Sequence, residues 1–95
     1  MYANKGDYDT ALEYYNKTLD IRKQLLGENH PDTATSYNNI GAVYDDKGDY
    51  DTALENYNKA KVILEQKLPS THPNILTVKR NISKCEYMKV INNKQ

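Results

Sequence analysis

Ninety-five residues carry 13 basic and 13 acidic side chains, for a formal net charge of zero. That length suits one small domain, and the balanced charge argues against a nucleic-acid partner, since such modules carry a basic excess. Apolar runs such as Val62-Ile63-Leu64 fall far short of the roughly 20 residues that span a bilayer, while a single cysteine, Cys85, excludes an internal disulfide and suits a reducing compartment, so no membrane association and a cytoplasmic location are expected.

In chain order, Tyr2 and Lys5 match Tyr44 and Lys47 further on, so the first residues read as the last turn of an earlier helix. A helix is predicted over about 8–26, carrying Tyr8, Ala11, Leu12, Tyr15 and Leu19 at spacings of three and four and stopped by Gly27. The next spans 32–47, with Tyr37, Ile40 and Tyr44 on one stripe. Pro31 suits its first position, Asp32 opposes the helix dipole, and Lys47-Gly48 supply the cation and glycine of a helix end. A third covers 49–68, with Tyr50, Ala53, Leu54, Tyr57, Ala60, Ile63 and Leu64 ahead of Pro69. A fourth runs over 73–90, with Ile75, Val78, Ile82, Cys85 and Tyr87 as apolar contacts, and 91–95 form a polar tail.

The second and third units are copies. Gly6-Asp7-Tyr8-Asp9-Thr10-Ala11-Leu12-Glu13 returns unchanged as Gly48-Asp49-Tyr50-Asp51-Thr52-Ala53-Leu54-Glu55, and residues 6–47 share 20 identities in 42 with residues 48–89. A period of this length means stacked supersecondary units, none of which buries its apolar face alone. The linked positions Tyr37, Ile40, Gly41, Tyr44, Tyr50, Ala53, Tyr57 and Ala60 resemble the tetratricopeptide repeat. The 42-residue period and the Gly27-Glu28-Asn29-His30-Pro31-Asp32 linker look like its kinesin-light-chain type. The resemblance covers about residues 1–90. It implies an all-α fold, a right-handed α-solenoid of antiparallel helix pairs with about four helices, in which those eight positions and their counterparts Tyr8, Ala11 and Tyr15 pack the repeats together. A glycine inside a helix costs about 1 kcal/mol relative to alanine; Gly41 therefore reads as a point of close helix approach. Lys79, Ser83 and Glu86 replace Tyr37, Gly41 and Tyr44 in the last unit, which makes its outer face more polar, as a terminal repeat requires.

Catalytic chemistry finds no footing. His30 and His72 are repeat equivalents in His-Pro linkers, separated by a whole repeat, so capping explains them better than a shared metal. Cys85 takes the place of Val43 on an apolar side and reads as a structural thiol. Asp45, Asp46, Asp49 and Asp51 surround a helix–helix turn, where capping and solvation account for them. No phosphate-binding loop, nucleophile elbow or zinc motif occurs, so no enzyme activity and no cofactor or metal is expected.

The family resemblance implies a concave groove lined by the first helix of each repeat. Its expected positions are Thr35, Asn38, Asn39, Ala42 and Asp46 on one helix and Thr77, Arg80, Asn81, Lys84 and Met88 on the last. Family usage puts Asn39 and Asn81 on a peptide backbone. Arg80 and Lys84, four residues apart, share a face and suit a carboxylate. The expected function is a protein–protein interaction scaffold for a peptide or protein partner, with an acidic ligand and a merely solvated basic stripe as the two readings of Arg80 and Lys84. The alternative is a slice of a longer solenoid, or a chain that self-associates through the uncovered helix at 8–26.

Overall fold

The computed structural model describes residues 5–93. They form four helices joined by short turns: α1 (Lys5–Leu26), α2 (Pro31–Lys47), α3 (Tyr50–Lys67) and α4 (Pro73–Asn93).

Local chemistry sets the boundaries. Gly27, at a φ of 93°, ends α1 by turning its N–H back to the Lys23 carbonyl at 3.1 Å. The imidazole Nδ1 of His30 accepts the Asp32 N–H at 3.0 Å and opens α2, with Pro31 in the first turn. At the far end Gly48 takes a φ of 87°, its N–H reaching the Asp45 carbonyl at 3.0 Å while that of Asp49 reaches Tyr44 at 2.9 Å. This paired closure satisfies two of the orphan carbonyls of a helix end. Asp49 then accepts the Thr52 N–H at 3.3 Å and caps α3. Leu68 is extended, as the residue before a proline must be, and α3 stops there. The N–H of Asn74 donates to His72 Nδ1 at 3.1 Å, so α4 opens with the device that opens α2.

Two helices run beyond the expected bounds. α1 starts at Lys5 rather than near residue 8, and Gly6-Asp7, copies of the turn-forming Gly48-Asp49, lie inside it. The turn at 48–49, by contrast, is closed by N–H bonds to the carbonyls of Tyr44 and Asp45 of α2. The expected earlier turn falls on residues 1–4, outside the described residues, except for Lys5, which opens α1. α4 continues to Asn93 through much of the expected tail. Its last turns are tied to the start of α3: Asn92 Nδ2 donates to the Tyr50 hydroxyl at 3.0 Å, and Lys89 pairs with Asp51. Residues 94 and 95 lie outside the described residues.

Successive helices pack in chain order, and α2 also touches α4, whereas α1 and α3 do not meet. The helices therefore form two layers, α2 with α4 and α1 with α3. The core draws Leu12 and Leu19 from α1, Tyr37, Ile40 and Val43 from α2, Ala53, Tyr57, Ala60, Ile63 and Leu64 from α3, and Ile75, Val78 and Cys85 from α4. Tyr8, Ala11, Tyr15, Tyr44 and Tyr50 are partly buried against it, as is Ile82. Tyr87, expected among the apolar contacts, is exposed, because its side of α4 has no helix against it. Arg22 reaches across from α1 to the Asp32 carbonyl at 3.1 Å and to Ser36 Oγ at 2.9 Å. At the other end of the same pair the Tyr8 hydroxyl donates to the Asp46 carbonyl at 3.2 Å, so α1 and α2 are pinned antiparallel at both ends.

The closest approach is between α2 and α3. A Cβ at Gly41 would stand 2.8 Å from Cδ1 and 2.9 Å from Cε1 of Tyr57, and 3.1 Å from the Ala53 carbonyl oxygen. Alanine would gain about 1 kcal/mol of helix propensity, but overpacking typically costs about 1–3 kcal/mol. The backbone carbonyl leaves the ring as the part that must yield. Gly41→Ala should therefore lower the unfolding free energy by up to about 2 kcal/mol in urea denaturation; a more stable variant would show that Tyr57 withdraws without cost.

Candidate functional site

The surface shared by α2 and α4 gathers the residues singled out in the sequence. Asn38, Asn39 and Ala42 are half-buried on α2, as are Asn81 and Met88 on α4. Thr35, Asp46, Thr77, Arg80 and Lys84 are exposed. One direct bond joins the two helices here: Asn81 Nδ2 donates to Asn38 Oδ1 at 3.1 Å. The bond ties Asn81 to Asn38 and leaves Asn39 without one, so the two repeat-equivalent asparagines are not in equivalent states. One of Asn81's amide donors is spent inside the protein.

Beside that bond lies a small cavity of about 120 Å³, bounded by Ala34, Thr35 and Asn38 on α2, Leu64 on α3, and Asn74, Thr77 and Val78 on α4. It brings Thr35, Asn38 and Thr77 together and leaves Asn39, Ala42, Asp46, Arg80 and Lys84 outside it. Leu64 and Val78 were expected only as apolar packing residues, and Asn74 was not singled out from the sequence. Leu64 belongs to the second helix of its repeat and reaches this space only through packing, and Asn74 carries no signal beyond its place after His72-Pro73.

Charge on this surface is mixed. Arg80 and Lys84 make no hydrogen bond or salt bridge, whereas Asp45 sits half-buried and accepts the Tyr57 hydroxyl at 3.1 Å. Burial raises the Asp45 carboxyl above the usual carboxylate range, and the neighbouring Asp46 adds to the rise, while the Tyr57 bond and the Lys84 charge act against it. The capping-and-solvation reading of this cluster holds for Asp49 and for the exposed Asp46 and needs correction at Asp45, which is half-buried. Asp45 bonds Tyr57, Asp49 caps α3, and Asp51 pairs with Lys89.

The groups that resemble chemical candidates are occupied structurally. Both histidines accept backbone N–H groups at helix starts. Cys85 is fully buried, 3.6 Å from the Tyr50 carbonyl, and burial together with the Asp45 charge pushes its thiol up to about 11. A thiol so placed holds little thiolate at neutral pH. Among the described residues no group of three or more His, Cys, Asp or Glu is arranged to hold a metal ion, and no helix is long and apolar enough to cross a membrane.

With this geometry in view, the comparisons define the class. The chain matches the tetratricopeptide repeat family over residues 1–66 and belongs to that family. A nucleotide-binding leucine-rich repeat (NLR)-like protein of Hyaloscypha variabilis is 46% identical over 37 residues, which is 39% of this chain. The stretch spans about 4% of that protein's own length. Repeats of this family serve as protein-interaction scaffolds.

Tyr37 offers a test of the packing behind the site. Burial raises its hydroxyl to about 12, helped by the 2.5 Å bond it donates to Glu28 and by that carboxylate's charge. An acid whose folded pKa is raised stabilises the fold fully below its unfolded pKa, about 10 for tyrosine, and loses that contribution as pH rises through the folded value. Stability should hold level up to about pH 10 with respect to this group and fall between about 10 and 12. Tyrosinate absorbance and far-ultraviolet circular dichroism would record it. Complete ionisation of all nine tyrosines before any helix is lost would contradict the burial of Tyr37.

Proposed function

We propose that this chain is a non-catalytic scaffold of the kinesin-light-chain type, working in the cytoplasm and holding an extended, acidic peptide segment along the α2–α4 surface. The observation that carries the reading is the side-by-side placement of α2 and α4, with Asn38 and Asn81 joined between them and Arg80 and Lys84 exposed without a salt bridge. An extended peptide needs hydrogen-bonding groups for its backbone and a charge for its side chains. Asn39 keeps its whole side-chain amide for the first task, and Asn81 keeps its carbonyl oxygen and one N–H. Arg80 presents a planar fork suited to a carboxylate, and Lys84 adds a second cation four residues on. Ala42 leaves room for the peptide to lie close. Asp46 at the end of the surface disfavours an acidic residue there, which gives the bound segment a direction.

Fluorescence anisotropy with a labelled Asp/Glu-rich peptide is the direct test. Arg80→Glu and Lys84→Glu should each weaken binding by about tenfold or more at low salt, and added salt should weaken the wild type. Unchanged affinity in both variants would remove the acidic-peptide reading.

A second reading rests on α1. Ile21 is 56% exposed, whereas its repeat equivalent Ile63 is 5% exposed beneath α2. Tyr14 and Leu25 extend the same open stripe. A helix patterned like α2 would cover it, supplied either by further repeats or by a second copy. If a second copy covers the stripe, light scattering will show a concentration-dependent dimer that Ile21→Lys with Leu25→Lys returns to monomer; a wild-type monomer throughout would leave the stripe to further repeats.

A further inference from the structure

The layer formed by α1 and α3 carries a separate feature. Because these helices do not meet, the α1–α2 turn and the outward side of α3 enclose an open depression of about 560 Å³. Its floor is apolar, formed by Val62, which is 54% exposed, and by the edge of Ile63. Glu28 and Asn29 stand on the turn side of the rim, and Glu55 and Lys59 on the α3 side.

The rim charges are not equivalent. Glu28 is fixed from two sides, by the Tyr37 hydroxyl at 2.5 Å and by Lys23 Nζ at 3.7 Å. Lys59 lies over the Tyr37 ring, its ammonium 5.5 Å from the centroid, so the one cation of the rim is drawn to an aromatic face. Glu55 makes no hydrogen bond or ion pair. The exposed Val62 beside Glu55, which makes no ion pair among the described residues, suits an apolar side chain with a cation next to it.

We propose that this depression is a second interaction surface, which takes an aliphatic side chain adjacent to a lysine or arginine from a partner polypeptide. The aliphatic group would cover Val62 and Ile63, and the cation would pair with Glu55. Tyr37 links the pocket to the core, because the hydroxyl that holds Glu28 belongs to a ring buried between helices. The surface is independent of the α2–α4 proposal: it lies on the other layer and selects the opposite charge.

Titration of the full chain with capped peptides, followed by two-dimensional amide NMR, tests this directly. Three probes suffice: Gly-Ser-Leu-Arg-Gly, Gly-Ser-Leu-Glu-Gly and Gly-Ser-Ser-Arg-Gly. The Leu-Arg peptide should shift the amides of Asn29, Glu55 and Val62 along a saturable curve with a Kd on the order of 1 mM. The other two should bind about tenfold more weakly. Glu55→Lys and Val62→Asp, both at exposed positions, should each weaken the Leu-Arg peptide by about tenfold, with circular dichroism unchanged. Glu55→Lys should leave the acidic peptide's affinity for the α2–α4 surface intact. Equal binding of Leu-Arg and Leu-Glu, equal binding of Ser-Arg, shifts confined to Asn38 and Asn81, or no saturable shift would each overturn the proposal.

Discussion

The approach of Tyr57 to the bare backbone of Gly41 sets the distance between α2 and α3, and the other helices take their places from that pair. A side chain at residue 41 would push the ring outward, and the ring is nearly fully buried. Ala53 and Ala60, also without exposure, let α3 lie flat along the same contact. Once α3 is seated, Leu64 and its neighbours form the floor on which Ile75, Val78 and Cys85 of α4 rest. The contact between α2 and α4, and with it the candidate peptide surface, follows from a glycine that no ligand would touch. The hydroxyl of Tyr57 extends this influence by holding Asp45 at the end of α2.

The helix ends show how duplicated sequence is used. His30 and His72 perform the same task 42 residues apart, each accepting an N–H in the first turn of the helix that follows. An imidazole in that role satisfies one of the donors that every helix start leaves open. Gly6-Asp7 and Gly48-Asp49 behave differently in spite of identical neighbours. The second pair closes a helix because Tyr44 and Asp45 precede it with carbonyls to satisfy. The first pair lies inside α1.

A net charge of zero leaves local differences between the two layers. The α2–α4 side exposes Arg80 and Lys84 without salt bridges, and the α1–α3 side exposes Glu55 beside a fixed Glu28. Fields from such groups decay within about 10 Å at moderate salt, so each surface presents its own local charge to a partner.

Helix number, order and most boundaries were legible in the sequence because each depends on neighbours a few residues away: spacings of three and four, prolines, glycines and capping side chains. The duplication made the reading firmer, since two copies of one pattern constrain each other, and it identified Gly41 as a place of close packing. Membership of an α-helical repeat family was legible for the same reason. The end of α4 was not, because it depends on what lies alongside, Tyr50 and Asp51 of α3. The candidate surface was legible only as a set of helix positions. That Asn81 bonds Asn38 rather than standing as the twin of Asn39, that Asp45 is held by Tyr57, and that Leu64 borders the cavity were decided by the tertiary structure. These are contacts between residues 12 to 43 apart in the chain, or an enclosure by three helices at once. Local pattern determines which side of a helix is apolar; only packing determines which polar group on the other side meets a partner.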